Sequence, residues 1–110
     1  GMLEDTLVIW GGELGRTPMG ENRKTVGRDH HIDAFTMWLA GAGVKKGHIH
    51  GETDEWGHRS VRDKVNHYDY HATLLQLFGL DHDHLKYKRG GRVQSLIDGQ
   101  PARVLEELLA

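Results

Sequence analysis

Apolar residues occur along this chain in short blocks separated by long polar stretches, and the blocks predict its strands. Leu7–Trp10 is a continuous apolar run with β-branched members, which is typical of a strand buried on both faces of a parallel sheet. A second apolar run predicts a strand over Phe35–Ala40, and a short third strand is expected at His48–His50. The polar stretch over residues 15–29 is longer than an ordinary connection, so it is either a functional loop or a surface excursion.

The second half of the chain predicts two helices. Asp69 is a favoured N-cap residue, an apolar stripe follows over His71–Phe78, and Gly79 stands just past the end of the pattern. A further helix is predicted from about Pro101, because proline is favoured at the first helical position. Its apolar residues fall on one side: Val104, Leu105, Leu108 and Leu109. Together the elements predict an α/β fold, a short mixed sheet flanked by helices, in a single domain or partial domain over residues 2–110.

The composition narrows the classes of function. The formal net charge is −2 and the acidic and basic residues are interspersed, so no nucleic-acid partner is expected. No stretch reaches the roughly 20 apolar residues that span a bilayer, so no membrane partner is expected either. The chain contains no cysteine, which excludes disulfides and thiolate metal ligands. Nine histidines are an unusual number and fit metal or proton chemistry.

The residues with the clearest chemistry follow the first predicted strand. Ligands bind beyond the carboxyl ends of strands in open α/β sheets, so Glu13, in a turn bracketed by glycines, is placed where a carboxylate can bind a metal. Asp29, His30 and His31 lie just ahead of the second strand, and their loop could bring an imidazole to Glu13. Adjacent residues in an extended segment point in opposite directions, so one of the two histidines is expected to bind a given ion. Such donors suit a divalent metal, namely zinc, manganese, iron or calcium, and imidazole argues somewhat against calcium.

A series of motifs, in order over nearly the whole chain, resembles the C-terminal part of the sulfatase-like bacterial family called domain of unknown function 1501. The segments that carry the resemblance are Gly12–Pro18, Gly27–His31, Trp38–Val44, Gly51–Gly57 and Asp69–Leu75. That family is similar to the alkaline phosphatase superfamily, whose members hydrolyse phosphate or sulfate esters on an α/β sheet with one or two metals. The resemblance therefore implies the C-terminal part of such a fold, and a small-molecule phosphate or sulfate ester as the substrate of the intact protein.

The resemblance also implies roles for particular residues. Glu13 matches the carboxylate of a metal motif that ends a strand in the superfamily, and either His30 or His31 matches a later metal histidine. From its position next to the histidines, Asp29 is either a member of the metal site that orients an imidazole or a turn residue. Arg16 could clamp an ester oxyanion through its planar fork during catalysis, or form a plain structural ion pair.

Two other interpretations remain open at the level of sequence. Leu14 stands where the superfamily's metal motif has histidine, which favours a binding or structural module that keeps the fold without the chemistry. Alternatively, the chain is a truncated fragment that self-associates into a homo-oligomer to cover apolar surface. The superfamily's nucleophile lies in an N-terminal half that these residues do not include, so the chain is expected to be inactive alone. Related proteins often carry an export signal, which implies an exported or periplasmic location.

Overall fold

The computed structural model describes all 110 residues, which form two compact units, Gly1–Lys64 and Val65–Ala110. The first unit contains a 3-10 turn over Met2–Glu4 and six short strands. These strands form three separate antiparallel pairs: β1 (Leu7–Trp10) with β4 (Trp38–Gly41), β2 (Gly15–Arg16) with β3 (His30–His31), and β5 (Glu52–Thr53) with β6 (Ser60–Arg62). The unit is thus a set of small ribbons joined by long loops.

The first strand lies where the sequence predicts it, but its surroundings differ from the prediction. β1 pairs antiparallel with β4, and Trp10 lies opposite Trp38 in the register. The side chains of Val8, Ile9 and Trp10 are exposed. The prediction of a strand buried in a parallel sheet is therefore wrong for this chain. An apolar run indicates that both faces of a strand avoid water, and it does not specify what covers them.

Two other strand predictions need correction. The strand expected over Phe35–Ala40 begins only at Trp38 and extends to Gly41, and no strand forms at His48–His50. The chain has α and β elements as predicted, yet all its strand pairs are antiparallel and two-stranded, so the expected mixed sheet is absent. Alternation of His48 and His50 is too short a pattern to specify a strand without a pairing partner.

The second unit contains the single α-helix, α1 (His67–Leu77), and a hairpin of β7 (Lys86–Arg89) with β8 (Arg92–Ser95). The helix is confirmed, and Gly79 follows its C-cap residue Phe78. The predicted C-terminal helix is wrong, because only Glu106–Leu108 forms a 3-10 turn there. The chain contains no helix that is both long enough and apolar enough for a membrane span.

The helix starts three residues earlier than predicted. Asn66 is the N-cap, and its side-chain oxygen accepts the Asp69 N–H at 2.9 Å. The Asp69 carboxylate accepts the Asn66 N–H at 3.4 Å, which completes a capping box. Asp69 therefore does stabilise the start of the helix, but from the third helical position and not from the cap.

Hydrogen bonds from the helix to the C-terminal segment organise the core of the second unit. The buried Asp69 carboxylate accepts the backbone N–H of Arg103 at 2.9 Å. One turn later, the buried Thr73 hydroxyl accepts the N–H of Leu105 at 2.9 Å and donates to the Asp69 carbonyl. The buried apolar side chains of the whole chain lie in this unit: Ala72, Ile97 and Leu105. Two N–H groups of the C-terminal segment thus donate to side chains of the helix. They are therefore not available for the hydrogen bonds of a C-terminal helix.

The hairpin of the second unit was not predicted. Its two strands are joined by Gly90 and Gly91, whose φ angles are +56° and +77°. Two consecutive positive φ angles match the tight two-residue turn that suits the right-handed twist of a hairpin, and glycine adopts them without strain. Every residue of β7 is exposed, so the strand lacks the apolar alternation that would have revealed it.

Candidate functional site

The predicted metal residues lie on and around the ribbon of β2 and β3. In its register Gly15 faces His31 and Arg16 faces His30. A side chain at Gly15 would overlap the backbone of Ala34 and approach Phe35 Cβ within 2.7 Å. Glycine therefore allows the turn after Glu13 to lie directly against the following segment of the unit.

Glu13, Arg16 and His30 form a surface cluster. Glu13 Oε1 lies 3.3 Å from His30 Nε2 and 3.6 Å from Arg16 Nη2. The three side chains are between 53% and 64% exposed, so solvent screens their interactions. The structure thus brings together the predicted carboxylate, one predicted imidazole and the predicted catalytic arginine.

His31 points in the opposite direction from His30 and is 6% exposed. The backbone N–H of Asp33 donates to its Nδ1 at 3.3 Å, so Nδ1 is an acceptor and the ring proton lies on Nε2. Nε2 in turn donates to the Gly57 carbonyl at 2.9 Å. Both ring nitrogens are occupied by backbone groups, so in this arrangement His31 fastens two loops together.

The contacts of Asp29 are with residues outside the Glu13 cluster. Its backbone exchanges hydrogen bonds with Thr17, whose N–H donates to the Asp29 carbonyl at 2.9 Å and whose hydroxyl accepts the Asp29 N–H at 3.1 Å. The Asp29 carboxylate lies 4.0 Å from Arg23 Nη2. No three side chains among the histidines, aspartates and glutamates of the chain are grouped so that they could hold a metal ion.

A tight turn around Asp54 positions the carbonyl that receives His31. The Asp54 carboxylate accepts the N–H of His58 at 2.8 Å and of Trp56 at 3.2 Å, and the Gly57 N–H returns to the Asp54 carbonyl at 3.0 Å. The hydrogen bond from the His58 N–H is the main reason why the pKa of Asp54 lies below its usual range. This turn is the typical local structure of an aspartate that binds the backbone two to four residues further on.

A concavity of about 300 Å³ lies next to the cluster. Five of its lining residues have ionisable side chains, namely His30, His31, Asp33, His58 and Arg59. The sequence did not single out His58 or Arg59. The sequence signal for them is Asp54, because an aspartate that accepts backbone N–H groups a few residues further on forms a turn and fixes the position of the residues that follow.

Comparison with known proteins identifies a family. The family described as "Protein of unknown function (DUF1501)" matches residues 1–109. No curated protein and no solved structure matches the chain significantly.

Proposed function

The chain belongs to the DUF1501 family, and from that premise we propose that it carries part of the metal centre of a phosphate or sulfate ester hydrolase of the alkaline phosphatase type. The observation that carries the proposal is the pairing of Glu13 Oε1 with His30 Nε2 at 3.3 Å. A carboxylate oxygen and an imidazole nitrogen are both ligands for zinc, manganese and iron. In this proposal the protein as a whole is the hydrolase, and these 110 residues supply two of its ligands.

The distance between the two donors supports a shared ion. Two ligands at ~2.0–2.1 Å from a tetrahedral zinc lie about 3.3 Å apart, which is the separation of Glu13 Oε1 and His30 Nε2. Two ligands leave coordination positions for water, for substrate and for donors from outside these residues. The pair therefore fits an open, catalytic type of site better than a closed structural one.

Each residue of the cluster has a distinct role in the proposed reaction. Glu13 and His30 hold the ion, which when bound polarises an ester oxygen and activates a nucleophile. Arg16 has five N–H donors, so its contact with one Glu13 oxygen leaves others for an oxygen of the ester. There they would stabilise negative charge that develops as the ester bond breaks. No residue of this chain is proposed as the nucleophile.

Paramagnetic broadening of NMR signals tests the metal pair directly, even if two ligands bind weakly. We expect Mn²⁺ to broaden amide signals around Glu13 and His30 first, and Glu13→Gln to abolish this local effect. Glu52→Gln is the matched control, because Glu52 is also an exposed carboxylate that pairs with an arginine, Arg62. Broadening centred elsewhere, or unchanged in Glu13→Gln, would contradict the proposal.

A second function, a non-catalytic structural or binding module, is favoured by the geometry of His31. One of the two predicted imidazole ligands is buried and fully hydrogen-bonded to backbone, and Leu14 replaces the histidine of the superfamily's metal motif. A module of this kind predicts no localised Mn²⁺ effect and an unchanged spectrum in the Glu13 variant, so the same titration separates the two functions.

A further inference from the structure

The concavity beside the Glu13 cluster contains donor groups that the proposed metal pair does not use. His31 is occupied by backbone groups, and the Thr17 hydroxyl is bound to the backbone of Asp29 and Met19. His30 Nε2 is directed at Glu13. Among the donors that line the concavity, this leaves the side chains of His58 and Arg59.

Arg59 differs from the arginines on the surrounding ribbons. Arg16 and Arg62 each lie within ion-pair distance of a carboxylate, Glu13 and Glu52 respectively. Arg59 forms no ion pair, and its backbone carbonyl is fixed by the Asp54 N–H at 2.9 Å. Arg59 is therefore a positive residue on an anchored backbone that lines the concavity without forming an ion pair.

We propose that Arg59 and His58 bind the tetrahedral oxyanion of a phosphate monoester in this concavity. The inference rests on the proposed function, since it names the group that the adjacent Glu13 and His30 pair would act on. A guanidinium binds two oxygens of such a group through parallel N–H donors, and an imidazole N–H contributes a further donor. A volume of about 300 Å³ accommodates a small oxyanion with part of its alcohol group.

Asp33 decides between phosphate and sulfate. It is the one carboxylate that lines the concavity, and a carboxylate only accepts hydrogen bonds. Phosphate monoesters have a second pKa of about 6, so they carry a proton for part of the time near neutral pH and can donate it to such an acceptor. Sulfate and its esters carry no proton there, so they have no hydrogen bond to donate to Asp33, whereas the protonated form of the phosphate has one. The site therefore favours the protonated form of a phosphoryl group over a sulfuryl group.

Titration with inorganic phosphate, inorganic sulfate, phenyl phosphate and phenyl sulfate in the presence of EDTA tests the inference without metal. We expect both phosphate compounds to shift the NMR signals of His58 and Arg59, and both sulfates to bind more weakly. Arg59→Gln should weaken phosphate binding by about tenfold or more, as loss of a charge-assisted contact does. Asp33→Asn should improve sulfate binding and remove the preference, because its backbone bonds to His31 and Ser60 are kept.

Arg62→Gln is the control, since it removes another exposed arginine, from strand β6. Equal weakening by Arg62→Gln and Arg59→Gln, sulfate binding as strong as phosphate binding in the unmodified chain, or no binding of any oxyanion would overturn the inference. A phenyl phosphate response without one from inorganic phosphate would assign recognition to the phenyl group and would also overturn it. Because EDTA removes metal, phosphate binding here together with a negative Mn²⁺ titration would leave this inference standing and the proposed hydrolase wrong.

Discussion

At the scale of single residues, His30 and His31 have different surroundings that the sequence could not assign. His30 lies next to Glu13, and His31 is buried and binds the Gly57 carbonyl. The sequence predicted that neighbours in an extended segment would point in opposite directions, and the structure confirms this. It could not show which ring would be buried, because that depends on a carbonyl 26 residues away, at Gly57. Arg59 was not singled out for a similar reason, since its place in the proposed oxyanion site depends on a turn and a concavity and not on a motif.

The two histidines should respond oppositely to substitution. His31→Ala removes a buried ring and two hydrogen bonds, so we expect it to lower the free energy of unfolding of the first unit by roughly 1–3 kcal/mol. His30→Ala affects an exposed side chain and should leave stability nearly unchanged while removing the Mn²⁺ response. Urea unfolding followed by circular dichroism measures both. A His30 variant as unstable as the His31 variant would contradict this division.

Asp54 should make the turn sensitive to acid. Its pKa is lowered in the folded state, mainly by the His58 N–H, so its stabilisation is present above the unfolded value of about 3.9 and is lost as the pH falls through the folded value. The protection of the His58 amide against exchange, taken by NMR between pH 6 and pH 3 as the ratio of the intrinsic to the observed rate at each pH, should therefore fall at the acid end. Asp54→Asn should show no such acid dependence. A similar loss of protection in that variant would assign the effect to another group.

At the scale of elements, the predictable parts are those with local signals. Helix α1 was predicted from its apolar stripe and its terminal glycine, and β1 from its apolar run. The C-terminal segment misled the prediction because Leu105 and its apolar neighbours follow a helical spacing. In the structure, the N–H groups of Arg103 and Leu105 bind side chains of α1 instead of helical carbonyls. Tertiary hydrogen bonds thus override a local pattern that is only weakly helical.

Two substitutions at the start of α1 test whether the bond from Asp69 to the C-terminal segment adds stability beyond the capping box. Asn66→Ala removes one capping interaction and should cost about 1 kcal/mol. Asp69→Ala removes the reciprocal cap and also the acceptor of the Arg103 N–H, so it should cost more, roughly 2–3 kcal/mol. Thermal unfolding at 222 nm gives the order of the two. Equal effects would show that the bond to the C-terminal segment contributes no net stability.

At the scale of the whole molecule, the two units differ in what they bury. The buried apolar side chains, Ala72, Ile97 and Leu105, all belong to the second unit. In the first unit, the ribbon of β1 and β4 exposes Trp10 by 68% and Trp38 by 54%, with Val8 and Ile9 beside them. Folding must offset a large loss of conformational entropy, and a unit without buried apolar side chains has little to offset it. This ribbon therefore needs a covering surface.

We expect the chain to self-associate through this ribbon when it is studied by itself. Sedimentation velocity over a range of concentrations should show a monomer that converts to larger species, and Ile9→Lys should weaken the association. Ile49→Lys is the matched control, because Ile49 is 90% exposed and lies outside every strand. A monomer at all concentrations, or equal effects of the two substitutions, would contradict a role for the ribbon.

The bonds from α1 to the C-terminal segment also impose an order on biosynthesis. During translation the helix leaves the ribosome before the segment that contains Arg103 and Leu105, and chains begin to fold from the N-terminal side as they emerge. Until that segment follows, the carboxylate of Asp69 and the hydroxyl of Thr73 lack the N–H groups that they later receive. A chain that ends before Arg103 would thus leave these two side chains of the helix without their backbone donors.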